Sequence, residues 1–269
     1  MEIIPAYGWR RNLRLSNGDA ELVVTLDVGP RILGYRLTDG PNVLKEYPDQ
    51  LGGTGEPSWM IRGGHRLWVA PEDPAITYYP DNAPVEVTEP EPGVVRLIPR
   101  PETAVGFQKE IDILFGASGS VVRLVHRIRN IGWAPQNVSP WALTVLAPGG
   151  TEIIPLPPKR PHPGSPDNAR SAADFAPDQV MILWPFFDFT DDRWTFGRRF
   201  ITLRHDPDRG ATKIGLSHRQ GAVGYLNGGT LFVKRFGPPV GVREYPDLGS
   251  NFETFTNEDM LEMESLGVI

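Results

Sequence analysis

Phe107-Gln108-Lys109-Glu110-Ile111-Asp112-Ile113-Leu114-Phe115 sets Phe107, Ile111, Ile113 and Phe115 on one side and Gln108, Glu110 and Asp112 on the other. That period of two marks a half-buried strand, because successive side chains of an extended chain point to opposite faces. Lys109 interrupts the apolar side and is expected to run its stem along the core with its ammonium in water. Residues 121–129 repeat the pattern, with His126 beside Val122, Leu124 and Ile128 and opposite three arginines. A histidine so placed is first of all a hydrogen-bonded core residue.

Outward from this pair the same rhythm recurs at residues 21–27, 31–37, 85–87, 94–98, 140–146, 200–203, 212–216, 222–226, 230–236 and 260–265. Between these runs lie Val28-Gly29-Pro30, Gly149-Gly150 and Asn227-Gly228, the last a strong hairpin signal. The 29 glycines and 28 prolines are spread without period, so the elements must be short and separated by turns. The expectation is an all-β fold, and 269 residues fit one large sandwich domain spanning 1–269.

A net charge of -6 argues against a nucleic-acid partner, which demands a clustered basic surface. With no cysteine, disulfides, thiolate catalysis and cysteine-bound zinc are excluded, and a reducing cytoplasm is the expected compartment. No apolar run reaches the ~20 residues that a membrane helix needs, so no membrane partner is expected. The chain carries no nucleotide-binding glycine fingerprint, no Gly-x-Ser-x-Gly elbow and no His-Glu-x-x-His pair. Its histidines are too scattered for a sequence-local metal site, and no metal or cofactor is expected.

Site chemistry concentrates in Arg62-Gly63-Gly64-His65-Arg66-Leu67-Trp68-Val69-Ala70-Pro71-Glu72. An imidazole, guanidiniums, an indole and a carboxylate flank a glycine pair able to bring backbone close to a ligand. The segment reads as too polar for a core strand, which suggests a partly open pocket wall. Arg31, at the start of its strand, and Arg66 are candidates to hold hydroxyls or a phosphate.

Residues 154–167 hold so many prolines that a stiff loop is expected, with Lys159, Arg160 and His162 as candidate wall residues. Residues 183–194 are aromatic-rich, and Asp188, Asp191 and Asp192 fit turns better than a calcium loop. Of the consecutive Lys234 and Arg235, one must face inward or into a cleft. In the closing strand Glu262 and Glu264 share a face opposite Leu261 and Met263, and Glu253 stands in the strand before it.

Gly63-Gly64-His65-Arg66-Leu67-Trp68, Asn130-Ile131-Gly132, Pro140-Trp141-Ala142-Leu143-Thr144, Lys213-Ile214-Gly215, residues 231–236, Tyr245-Pro246-Asp247 and residues 261–267 occur in an order that resembles a bacterial family of the galactose mutarotase-like superfamily. The resemblance spans nearly the whole chain. It implies a large antiparallel β-supersandwich with a carbohydrate-binding cleft. It also implies a late glutamate as base, which points to Glu262 with Glu253 as rival, and a histidine as acid, which points to His65. The mutarotases' second histidine has no clear match; His126 and His162 are the mid-chain candidates.

The expected function is that of a carbohydrate-binding protein whose small-molecule partner is a sugar, with Trp68 or Trp141 against the sugar's apolar face and aldose 1-epimerase chemistry through a glutamate and a histidine. The alternatives are a non-catalytic binding or scaffold protein, and a hydrolase or lyase in which Glu253 and Glu262 supply a carboxylate pair.

Overall fold

Phe107–Phe115 is a strand in the computed structural model, which describes residues 1–240 and 245–269, and its apolar residues face a core shared by three antiparallel sheets. In chain order the strands are β1 (Glu2–Ala6), β2 (Trp9–Ser16), β3 (Ala20–Thr25), β4 (Ile32–Leu37), β5 (His65–Ala70), β6 (Glu86–Glu91), β7 (Val94–Ile98), β8 (Phe107–Phe115) and β9 (Val122–Asn130). They continue with β10 (Ser139–Leu146), β11 (Thr151–Pro155), β12 (Met181–Leu183), β13 (Trp194–Phe196), β14 (Phe200–Arg204), β15 (Thr212–Leu216), β16 (Ala222–Asn227), β17 (Thr230–Arg235), β18 (Phe252–Thr256) and β19 (Leu261–Leu266). Helical structure among the described residues is confined to short turns such as Pro48–Gln50 and Pro246–Gly249.

Ten strands form one sheet in the order β1-β2-β3-β4-β5-β10-β19-β18-β15-β12, five form β13-β14-β11-β16-β17, and four form β6-β7-β8-β9. One face of the ten-stranded sheet, through Ile32, Leu67, Leu146, Ile214, Phe252, Leu261 and Met263, meets Leu97, Ile111 and Ile113 of the small sheet and Ile154, Leu203, Val223 and Tyr225 of the middle one. This is an all-β sandwich. A separate apolar cluster, Trp68, Ala70, Trp141, Leu143 and Leu266 with Trp59, covers the opposite, outer face.

The Gly-Gly-His segment is no open pocket wall: His65–Ala70 is a fully buried strand at the centre of the largest sheet. Its polar residues are tolerated there because each finds a partner, Arg66 in buried Glu262 and His65 in buried Thr144 and half-buried His126. Gly63 and Gly64, at φ +93° and +68°, cross so close to the neighbouring chain that a Cβ would lie 2.0 Å from Lys45 O and 2.2 Å from Ile32 O. Only glycine fits that approach.

The proline-rich stretch begins later than its composition suggests. Ile154 and Pro155 close β11, which is central in its sheet, but Pro155 pairs with Phe200 of β14 beyond the last pairing of β11 with β16, so no ladder donor is missing there. Lys109 is buried against Glu102 at 2.8 Å instead of reaching water, a carboxylate making the apolar face hospitable to an ammonium. Asp191 forks onto Arg193, and Asp188 caps a turn at Thr190. Among the described residues no helix is long and apolar enough to cross a membrane.

Candidate functional site

Register decides which side chains meet. Trp141 of β10 lies opposite Trp68 of β5, Leu143 opposite Arg66 and also Glu264 of β19, and Glu264 opposite Glu253 of β18. On β18 Phe255 stands opposite both Glu262 and Lys213 of β15. With side chains alternating along each strand, Arg66, Trp68, Trp141, Glu253, Glu262, Glu264 and Lys213 all emerge on the outer face.

These charges interlock. The Arg66 guanidinium meets Glu262 Oε1 at 2.9 Å and lies over the rings of Trp68 and Trp59, at 4.4 and 5.3 Å. The Lys213 ammonium meets Glu253 at 2.8 Å and Glu264 at 2.9 Å, beneath Trp184 (4.6 Å) and Trp141 (5.0 Å). Trp141 Nε1–H donates to Glu264 at 2.9 Å. An aromatic chain runs alongside, Trp59 to Trp68 at 4.7 Å and Trp68 to Tyr78 at 4.9 Å.

Above Lys213 opens a hollow of about 330 Å³ lined by Glu72, Tyr78, Trp141, Trp184, Lys213 and Asp247. That volume is at the small end of ligand pockets, which run from about 300 to 1,000 Å³. Asp247 is brought there by a backbone turn in which it and Leu248 take left-handed angles, φ 51° and 63°. For residues with a Cβ such angles are costly and persist where the surroundings impose them.

Burial pushes the carboxyls up. Desolvation raises Glu253 well above the usual carboxylate range, with Lys213 opposing and the charges of Glu264 and Asp247 adding to it. Glu262 is raised by burial against the pull of Arg66, and Asp247 by burial. For Lys213, burial acts to lower the ammonium's pKa, but Glu264 and Glu253 outweigh it and hold it above its ordinary value.

His65 is elsewhere. Its ring points through the inner face, Nδ1 2.9 Å from Thr144 Oγ1 and Nε2 2.8 Å from His126 Nε2. Lys234 joins it from β17, donating to Ala142 O at 2.7 Å, Met263 O at 2.8 Å and Thr144 Oγ1 at 3.2 Å. The expected pairing of His65 as acid with Glu262 or Glu253 as base is therefore corrected: one sheet separates them. Lys234 is likewise a core residue on the inner side.

Arg31 is not a free hydroxyl or phosphate holder. It is buried, bound to Asp81, and lines a second cavity of about 230 Å³ with Glu102 and Lys109. Arg66 is spent on Glu262 in the same way, and Trp68 supports the hollow from behind the wall that Trp141 forms. His162 is exposed, packs on Phe175, accepts from Gly164 N–H and lines neither cavity. Arg160 pairs with Asp178 within the same loop. Glu262 faces Arg66 and not the hollow, so it does not pair with Glu253 across a ligand as a hydrolase would require.

Glu72 is read with the His65 segment, whereas Lys213, Trp184, Tyr78 and Asp247 are the site residues that pattern reading passes over. One signal was present: in residues 212–216 Lys213 alternates against Thr212, Ile214 and Leu216, a lone cation on the far side of an apolar strand.

No protein-family model matches the chain, and no curated protein does. Among solved structures, a TPR-domain containing protein from Parabacteroides distasonis ATCC 8503 is similar at 11% identity and a TM-score of 0.48, over 96% of this chain and 43% of that one. The chain thus spans less than half the length of that neighbour.

Proposed function

We propose that this chain is a carbohydrate-binding protein of galactose mutarotase type, holding one sugar ring in the hollow above Lys213. A single observation carries the reading: two indoles, Trp141 and Trp184, and the Tyr78 phenol wall a space that also presents the carboxyls of Asp247 and Glu72. Aromatic faces suit a sugar's C–H surface and carboxylates suit its hydroxyls, while the charges behind them are fixed by ion pairs and cost little reorganisation on binding.

Anomer exchange needs one group to take the anomeric proton and another to protonate the ring oxygen. With His65 behind the sheet, the carboxyls that line the hollow, Asp247 and Glu72, are the groups placed to serve both roles. The test is titration calorimetry and saturation-transfer NMR over hexoses, with polarimetry on freshly dissolved sugar. Binding that Trp184→Ala weakens about tenfold supports the proposal; a panel in which no sugar binds removes it. Binding without accelerated mutarotation leaves a non-catalytic carbohydrate-binding protein.

A further inference from the structure

Among the described residues the hollow has one ammonium, and it is already used. Lys213 is 5% exposed, held between Glu253 and Glu264 at 2.8 and 2.9 Å and roofed by two indoles. An incoming phosphate or carboxylate would have to displace one of those carboxylates to reach it. Glu72 and Asp247 line the same space, so the charge an incoming group meets among the described residues is negative. Like charge across a desolvated contact is a strong rejecting element.

The three carboxyls nearest Lys213 are not equivalent. Glu264 receives the indole N–H of Trp141 as well as the ammonium. Glu253 has only a share of the ammonium, is 0% exposed, and has Asp247 beside it. Among the described residues one ammonium stands against three carboxyls, two of them buried, so Glu253, the least supported, is the one to retain a proton. A carboxyl group there, both of whose oxygens are without a hydrogen-bond partner among the described residues apart from the Lys213 ion pair, is placed to donate to the neighbouring Asp247, which lines the hollow as an acceptor. The raised pKa of Glu253 agrees with that assignment, and the groups acting on the pair are Lys213, Glu264 and Glu72.

Resting on the carbohydrate reading above, we propose that the hollow selects neutral or amine-bearing sugars and turns away sugar phosphates and sugar acids, with Asp247 contacting the ligand's hydrogen-bond donor and Glu253 positioning Asp247.

The experiment titrates wild type and Asp247→Asn with glucose, glucosamine, glucose 6-phosphate and glucuronate by calorimetry, with thermal melts confirming that each variant folds. Wild type is expected to bind glucose or glucosamine at least about tenfold more tightly than the two anions, and Asp247→Asn to shrink that gap to about threefold or less, with glucosamine losing most. Should Asp247→Asn not fold, Glu72→Gln reads the same field from the other side of the hollow and is expected to narrow the gap in the same direction. Tightest binding of the phosphate or the uronate overturns the proposal while leaving the carbohydrate reading in place. A discrimination unchanged in the folded variant overturns Asp247's role. Absence of binding by every sugar sinks the carbohydrate reading and this proposal with it.

Discussion

His65 and Glu262 stand on opposite faces of the ten-stranded sheet, the imidazole against Thr144 and His126 on the inner side, the carboxylate against Arg66 on the outer. Their separation follows from β5 being an extended strand, in which residues 65 and 66 must point opposite ways. The strand that pairs with β5 on one edge and β19 on the other, β10, therefore passes two different polar systems through one backbone, a structural chain inside and the candidate site outside.

His65→Gln should leave sugar affinity within about twofold while lowering stability by about 1 to 3 kcal/mol, because Thr144 and His126 lose a buried partner. Denaturant unfolding beside calorimetry separates the two effects. A large loss of affinity at unchanged stability would return the imidazole to the site.

Arg66 and Glu262 are at 1% and 4% exposure, so removing one partner strands the other in a desolvated setting. Glu262→Ala should cost about 3 to 5 kcal/mol, and the double variant Arg66→Met/Glu262→Leu should recover much of that, since a buried pair is often worth no more than apolar residues of similar size. A double-mutant cycle by urea denaturation measures the coupling, and additive effects would show that the pair is not joined.

The acid limb of stability should report the inner chain. Burial lowers the His65 pKa, helped by His126, and brings His126 from 6.5 to about 3, with Lys234 adding to it. A folded-state pKa below the unfolded one means that the unfolded chain takes up protons the native state refuses. This contribution is intact above pH 6.5 and is lost as pH falls from 6.5 toward 3. The raised carboxyls Glu253 and Glu262 act with the opposite sign, so the comparison is wild type against His65→Gln/His126→Gln. The double variant should lose less stability between pH 6.5 and 4, read from urea midpoints, and parallel curves would refute the assignment.

Alternation was legible in several strands. Residues 94–98, 107–115 and 212–216 were bounded from sequence as the structure has them. It failed at His65–Ala70, where both faces are buried and the polar side chains are matched by partners up to about two hundred residues away, which no local window contains. Glu2–Ala6 was missed because Pro5 reads against a strand, and Trp9–Ser16 because its arginines and asparagine mask the period, Asn12 being buried on the backbone carbonyls of Ala6 and Trp9. For the site, type was readable and side was not. Placing His65 and Glu262 correctly needed the register of β5, β10 and β19, which is a long-range property.

Lys234 supplies the sharpest test of how the inner face supports the outer one. Its three donor bonds go to Ala142 O, Met263 O and Thr144 Oγ1, on β10 and β19, the strands whose other face carries Trp141, Glu262 and Glu264. Burial nevertheless lowers its pKa from 10.5 to about 7, with Glu262, Glu264 and Glu152 pulling upward and Arg66 reinforcing the drop. Unfolding therefore takes up a proton between about pH 7 and 10.5, and stability should rise with pH through that window as the penalty for burying the charged amine is relieved. Glu152, raised by burial from 4.5 to about 8, tilts the curve the other way below pH 8, so the clean interval starts there. It ends near pH 10, where buried Tyr7 and Tyr225, raised from 10.0 to about 12, begin to oppose it. Between pH 8 and 10 the wild-type urea midpoint should climb relative to Lys234→Met, which has no such proton to take up. If both proteins follow the same curve there, Lys234 keeps an ordinary ammonium in the folded chain and the inner face does not strain against the charge it holds.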